Sequence, residues 1–543
     1  MRLGIKPSSA YLPLIFAILI IVGMLIGVKL ADRSGGNSMF VYPKTDKMSG
    51  LLSFIEMEYV DSVSREDLVE KTIPLLLKNL DPHSVYIPAK DLQRINEPLE
   101  GNFEGIGIQF NMLNDTVVVI QTISGGPSEK IGIMPGDRIV TINDTVVAGV
   151  SFPDSEIVSR LRGIRGTRVN VGIKRQHIPG IMEFEITRDR IPLYSVDVAY
   201  MLNDKTGYIK ISQFARTTFR EFMEASEKLS AMGMQNLVLD LRGNGGGYMD
   251  QATSIADQFL REGSLIVYTE GKAHPRSDVL ATDMGINLDT ELIVMIDEWS
   301  ASASEIIAGA IQDNDRGIIV GRRSFGKGLV QNPQVFSDGS ALRLTVARYY
   351  TPTGRSIQKP YDAGSDDYFN DLDMRFLHGE FDEADSINFD DSLKFVTPEG
   401  NIVYGGGGIM PDYFIPRDTV GLTDYYRQIV RQGLVYRFAF DYSDRNRSAL
   451  TAYNNAEAMN RYLERQDLMS KFAEFAESEG IARSESQIAK SESIIHTQIK
   501  AYIARNIINN EGFYPIIGKI DEALQKSVSL FNEGSSRHLT QRQ

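Results

Sequence analysis

From Tyr11 to Val28 the chain runs eighteen residues without a charge, mostly Leu, Ile, Val, Ala and Phe. That is about the shortest apolar stretch able to cross a membrane as a helix. Arg2 and Lys6 precede it, and Lys29, Asp32 and Arg33 follow. A cleaved signal peptide has a shorter apolar region ending in small residues. Lys29, two before Ala31, makes a poor cleavage site, so residues 1–33 read as an uncleaved single-pass anchor. The Lys/Arg balance on its two sides does not set an orientation, and no second apolar stretch follows. Residues 34–47 are a polar tether with Gly35, Gly36 and Pro43. Residues 48–94 carry helical spacing (Leu51, Leu52, Ile55, Met57, then Leu68, Ile73, Leu75, Leu76, Leu77) and end at LDPHSVYIP, so 34–94 read as tether plus helical segment.

The periodicity changes over residues 95–190. Short apolar runs, TVVVIQTI (116–123), DRIVTIN (137–143) and RVNVGIKR (168–175), are separated by Gly, Pro and Asp turns, which predicts a small β-rich domain. Residues 191–420 alternate strand and helix patterns: GYIKISQF (207–214), a helix over 218–233, NLVLDLRGNGGG (236–247), ELIVMIDEWS (291–300), a helix over 303–314, and a strand ending in a turn over 317–328. This alternation predicts an α/β layered core. Within it, residues 361–395 hold eleven Asp or Glu against two basic residues, and read as a solvated insertion. Residues 421–543 read as a helical extension.

Composition narrows the chemistry. Lys plus Arg is 57 and Asp plus Glu 71, a net charge of −14, which disfavours a nucleic-acid binder whose affinity comes from cationic contacts to phosphate. The absence of cysteine removes thiol nucleophiles, disulfides and Cys-based metal sites. With six His and no HExxH pair, a His-based metalloenzyme is disfavoured, and nothing indicates an organic cofactor.

Three segments remain as candidate chemistry. The loop Gly243-Asn244-Gly245-Gly246-Gly247 follows a buried strand, so its backbone N–H groups can face a ligand, either a phosphate or an oxyanion; no GxGxxG or GxxxxGK[ST] pattern supports a nucleotide. Ser300-Ala301-Ser302-Ala303-Ser304-Glu305 lies where a buried strand turns into a helix. There one serine can be a nucleophile beside an outward N–H while another caps the helix. Lys327, in Ser324-Phe325-Gly326-Lys327-Gly328 at the end of an apolar strand, is the candidate base, because desolvation favours its neutral amine. In the β-rich domain, Gly105-Ile106-Gly107-Ile108 opens a strand and is followed by Pro135-Gly136-Asp137. Such a loop can offer N–H groups to a peptide carboxylate while the strand edge accepts the peptide.

Together LDPHSVYIP, FEGIGIQF, PGDRIVTIND, GYIKISQF, LVLDLRGNGGG, SASASEIIAGAIQDNDRGIIVGRRSFGKGLVQ, ARYYTPTGRSIQ and GIMPD closely resemble the carboxy-terminal processing peptidases, or tail-specific proteases, over residues 48–415. The resemblance implies a crotonase/ClpP-like protease core with an inserted PDZ domain. It implies Ser302 as nucleophile, Lys327 as general base and Gln331 as the residue orienting the lysine amine. It implies an oxyanion hole from Ala303 and either Gly246 or Gly247, and a PDZ loop at Gly105, Ile106, Gly107 and Ile108 that takes substrate C-termini. The expected activity is cleavage of proteins bearing free C-termini by a Ser/Lys dyad through an acyl-enzyme, with no metal or other cofactor. The body is expected on the periplasmic or otherwise extracytoplasmic side of a bacterial inner membrane, and the extension is expected to serve an oligomer, a docking partner or substrate caging. A silent PDZ scaffold binding peptide tails is the alternative, and intact Ser302, Lys327 and Gln331 argue against it.

Overall fold

The structure is a computed structural model that describes residues 16–25 and 47–533, except 114, 124, 176–177 and 388–389. Of the expected span 11–28, residues 16–25 are described; they are helical and exposed, and the rest of the span lies outside the described residues. Among the described residues no helix is long and apolar enough to cross a membrane. The chain divides into two compact units, residues 1–75 and 76–543. The first holds the helix Lys47–Glu58 and the start of the helix Arg65–Leu77, where the Ser64 hydroxyl accepts from the Asp67 N–H.

In the second unit, β1 (Val85–Ile87) and the helix Ala89–Glu100 lead to β2 (Asn102–Gly105). A β-rich domain follows: β3 (Ile108–Met112), β4 (Val117–Thr122), β5 (Arg138–Ile142), β6 (Thr145–Val146), β7 (Arg168–Lys174) and β8 (Met182–Thr187). Its sheet runs β3-β4-β5-β7-β8, with β6 on β5. The chain leaves through β9 (Asp189–Pro192), which pairs antiparallel with β2, so entry and exit form one stem. The three apolar runs read from the sequence are β4, β5 and β7.

The core sheet comprises β10 (Val196–Met201), β11 (Thr206–Ile211), β12 (Asn236–Asp240), β15 (Glu291–Ile296), β16 (Ile318–Gly321) and β21 (Tyr413–Phe414), in that order, parallel from β11 onward. A second sheet is built on β18 (Ala341–Tyr350), with β1, β13 (Leu265–Gly271), β14 (His274–Leu280) and β17 (Leu329–Val335). A small hairpin, β19 (Lys394–Val396) and β20 (Ile402–Tyr404), follows the acidic segment.

Both faces of the core sheet are covered, which is why β12, β15 and β16 read as nearly unbroken apolar runs. Leu237, Leu239, Leu292 and Val294 face one cluster with the helices Thr218–Ala231, Met249–Asp257 and Ala303–Asp313. Val238, Ile293, Met295 and Val320 face Leu524, Leu530 and Phe531 of the helix Glu522–Asn532. The end of the C-terminal extension is thus a layer of the core. The rest packs around the long helix Glu485–Ile517, broken at Ile508 and Asn509.

The acidic segment corrects the sequence reading. Its helix Ser365–Leu377 is exposed at Asp366, Asp367, Phe369, Asn370 and Asp373, but Tyr368 and Arg375 are buried. Phe381 and Ile387 after the helix are buried as well, and a charge count cannot register these four inward residues among eleven acidic ones.

Candidate active site

β15 ends at Ile296 and the helix Ala303–Asp313 begins seven residues later, at Ala303. Ser302 sits at the bend with φ +57° and ψ −112°. Positive φ is uncommon for a residue with a side chain and concentrates at functional turns. The other two serines are committed elsewhere. The Ser300 hydroxyl donates to Leu241 O at 2.8 Å and accepts from the Asp297 N–H, and Ser304 Oγ donates to Asn244 O at 2.8 Å. Ser302 is half-buried between buried Ala301 and Ala303.

The glycine loop lies directly against this bend. The Ala301 N–H donates to Asn244 O, and Asn244 Nδ2 donates to Ile211 O. Gly246 has φ +103°, and a Cβ there would lie 2.7 Å from Ser302 Cβ and 3.1 Å from Ala303 N. Its own N–H donates to Asn244 Oδ1 at 2.9 Å, so Gly246, one of the two expected oxyanion glycines, has no N–H to offer. Among the hydrogen bonds of the described residues, the N–H groups of Gly247 and Ala303 have no acceptor. The Ala303 N–H is one of those a helix start leaves unsatisfied.

Lys327 lies on the turn between β16 and β17. The structure brings it to Gln331, whose Oε1 accepts from Nζ at 3.4 Å. Gln331 Nε2 in turn donates to His83 O. Among the described residues no hydrogen bond joins Lys327 Nζ to Ser302 Oγ; shared anchors hold the two turns side by side. The main anchor is Glu305, fully buried, whose Oε2 accepts from the N–H groups of Ser302 (2.8 Å) and Lys327 (2.9 Å). Its Oε1 accepts from the Gly326 N–H (2.7 Å) and Ser324 Oγ (2.6 Å). The second anchor is the buried Tyr349 hydroxyl, whose proton is shared between Lys327 O at 2.5 Å and Ser302 O at 3.0 Å.

Burial sets the electrostatics. It pushes the Lys327 ammonium below the ordinary lysine range, against the opposing charge of Glu305. It pushes the Glu305 carboxyl up to about 7, against the donors it accepts from. Burial also brings the His83 ring down to about 4, helped by the charge on Lys327. A lysine whose charged form burial disfavours, on a turn tied through shared anchors to a strained serine and two unpaired N–H groups, supplies the parts a nucleophilic site uses: a base, a hydroxyl and donors for an oxyanion.

In the β-rich domain, Gly105 ends β2, Gly107 has φ +75°, and Ile108 opens β3. Ile106 is buried, its carbonyl accepting from the Ser128 N–H and hydroxyl. β3 pairs only with β4 among the described strands, so its outer edge is open to an added strand. No group of three or more His, Asp or Glu side chains among the described residues is placed to hold a metal ion.

Sequence reasoning passed over Glu305, Tyr349, Asn244 and His83. Glu305 alone carried a signal, standing three residues after Ser302 as in a capping box.

Residues 205–364 match peptidase family S41, residues 105–180 match the PDZ domain, and residues 425–509 match a family of unknown function, DUF8443. The chain is 36% identical over 329 residues to a carboxy-terminal-processing protease of Bartonella bacilliformis, covering 59% of this chain and 74% of that protein. It is 32% identical over 336 residues to the carboxy-terminal processing protease CtpA of Bacillus subtilis, covering 62% and 70%. Among solved structures it is similar to a photosystem II D1 C-terminal processing protease, at 29% identity and a TM-score of 0.34 over 56% of this chain and 82% of that one.

Proposed function

The chain belongs to the carboxy-terminal processing proteases, PDZ-bearing serine endopeptidases of peptidase family S41, and from that premise we propose that Ser302 and Lys327 are its catalytic dyad. The neutral Lys327 amine takes the Ser302 hydroxyl proton as Oγ attacks the scissile carbonyl. The N–H groups of Ala303 and Gly247 receive the oxyanion. As the intermediate collapses, the C–N bond breaks, Lys327 returns its proton to the leaving amine, and an acyl ester remains on Ser302. Lys327 then draws a proton from water as the water oxygen adds to the ester carbonyl, and returns it to Ser302 Oγ as the C–O bond breaks and the carboxylic acid product leaves. Gln331 orients the amine throughout.

The observation that carries this reading is the Glu305 carboxylate, which accepts from both the Ser302 and the Lys327 N–H and so holds the two turns in register. The open edge of β3, with the loop Gly105–Ile108, is proposed to take the substrate's C-terminus. Residues 11–28 are proposed as a single membrane span keeping the body outside the cytoplasm. Support for the span is its uncharged length between flanking basic residues, and extraction of the full chain from membranes by detergent but not by alkaline carbonate tests it.

The test of the dyad is digestion of a denatured protein, with product masses read from its C-terminus. Ser302→Ala is expected to give no products while still binding C-terminal peptides. Full proteolysis by Ser302→Ala removes the nucleophile assignment.

A further inference from the structure

The helix Ser365–Leu377 brings one charged and one aromatic residue inward from the acidic segment. Tyr368 is 2% exposed and Arg375 is 3% exposed; seven residues apart, they share one helix face. Burying a guanidinium is costly unless its donors are met. The donors of Arg375 go largely to the backbone that carries the lysine: Nη2 to Arg323 O at 2.7 Å and Nη1 to Ser324 O at 3.1 Å. Its Nε donates to Glu380, which also takes Arg323 Nη2 at 2.7 Å.

We propose that this helix forms one wall of the lysine pocket, with Arg375 and Tyr368 as positioning residues for Lys327. Two chains of contact connect them. The first runs from Arg375 to the Ser324 carbonyl, then through Ser324 Oγ to Glu305, which holds the Ser302 and Lys327 N–H groups. The second runs from the Tyr368 hydroxyl, 2.9 Å from His83 Nε2, through His83 O to Gln331 and from Gln331 to Lys327 Nζ. Phe325 packs edge-on against Tyr368 at 5.9 Å. The Lys359 amine lies 4.1 Å from the Phe325 ring centre and 4.3 Å from that of Tyr368, while bonded to Asp371 of the same helix at 2.9 Å. The turn bearing the base is therefore gripped on both sides of Lys327.

The charged groups that act on the Lys327 amine are Glu305 and Asp81, which favour its charged form, and Arg343, which opposes it; the neutral His83 ring lies nearby. None belongs to the helix Ser365–Leu377. The helix acts by fixing the turn and excluding water, so loosening it lets the amine regain protons and retreat from Ser302.

This inference rests on Lys327 as the base, and the experiment separates the two. In the full chain, Lys327→Met, Tyr368→Phe, Arg375→Gln and Arg375→Lys are assayed on one peptide substrate for kcat, KM and the pH profile of kcat. Leu377→Ala, 72% exposed on the helix, serves as control and keeps wild-type values. Arg375→Gln is expected to lose about tenfold in kcat with KM within about twofold. Both it and Tyr368→Phe are expected to move the acid limb upward by about half a pH unit or more, and Arg375→Lys to recover part of the loss. Folded Tyr368→Phe and Arg375→Gln proteins with wild-type kcat and acid limb, or with changes in KM alone, overturn the inference. Should Arg375→Gln fail to fold, Tyr368→Phe decides by itself. Activity surviving in Lys327→Met instead sinks the dyad reading.

Discussion

A methyl group at Gly246 would stand 2.7 Å from Ser302 Cβ and 2.9 Å from Ala301 O, on a backbone with φ +103°. At Gly245, one residue earlier, the added carbon meets nothing within 4 Å, and no positive φ opposes it. Gly246→Ala is therefore expected to lower kcat/KM by about a hundredfold or more, since a shift of about 1 Å at a nucleophile costs that much. Gly245→Ala is expected to stay within about threefold. Equal losses in the two variants would mean that the loop tolerates no substitution and that contact with Ser302 is not the reason. His83 gives a second residue-scale test. Its folded value of about 4 lies below the ordinary 6.5, so the unfolded chain binds a proton first as pH falls. The neutral ring's contribution is fully present above 6.5 and is lost as pH drops through 4, amounting to about 3 kcal/mol. Glu305, raised to about 7, pulls the opposite way between its unfolded value of 4.5 and 7, so the wild-type curve alone would mislead. The difference in unfolding free energy between wild type and His83→Gln isolates the ring: it is expected to shrink by about 2–3 kcal/mol between pH 7 and pH 4. A difference constant with pH refutes the assignment.

The run Val117-Val118-Val119-Ile120 in β4 is apolar at every position, although a domain with one solvated sheet face calls for alternation. Val117 and Val119 enter the PDZ core, while Val118 and Ile120 turn outward and are covered by Phe440 of the helix Leu434–Arg445. Arg138 of β5 adds an ion pair to Asp444 of that helix at 3.3 Å. Phe440→Ala is expected to undock the PDZ domain from the extension. Removing a buried Phe costs about 3–5 kcal/mol, so amide exchange at Val118 and Ile120 should quicken while exchange in β12 and β15 holds. Unchanged exchange in β4 would show that the domain stays in place without that ring. The same physics explains what the sequence disclosed. β11, β12, β15 and β16, with the helices after β11 and β15, were legible because burial on both sheet faces leaves apolar runs such as Leu237–Leu239, Leu292–Ile296 and Ile318–Val320. The helix Met249–Asp257 was not read, its sequence MDQATSIAD mixing polar and apolar residues after the glycine loop. Among the candidate residues, Lys327 was picked out by its place at the end of an apolar strand, while Ser302 and Gln331 were singled out only by the resemblance, since spacing alone left three serines open. β14 was not found, because His274 to Leu280 lies mostly in solvent and leaves no alternation to detect; β13 was not found either, its apolar signal being confined to the short run Leu265–Tyr268. The inward face of the helix Ser365–Leu377 was hidden because two residues, Tyr368 and Arg375, carry it.

Across the whole molecule, the chain's last described helix closes what its middle begins. Arg242, at the root of the glycine loop, is clamped by Asp240 from its own strand and by Asp521, which accepts from Nη1 at 3.0 Å and Nη2 at 2.6 Å. Asp521 is also the N-cap of the helix Glu522–Asn532, taking the Leu524 N–H. Behind that cap, Leu524, Leu530 and Phe531 cover Val238, Ile293, Met295 and Val320 of the core sheet. A chain ending at residue 520 would expose that face to water and leave Arg242 with one carboxylate instead of two. Each uncovered Ile, Val or Met forfeits about 1.5–3 kcal/mol, and several together approach the whole stability of a domain. Truncation after 520 is therefore expected to give protein that binds a hydrophobic dye and does not cleave, whereas Asp521→Asn, which keeps the apolar cover and weakens only the clamp, is expected to fold and to lose part of kcat. Circular dichroism and dye binding separate these outcomes. A truncated chain that folds and cleaves like the full one would show that the core sheet needs no cover on that face.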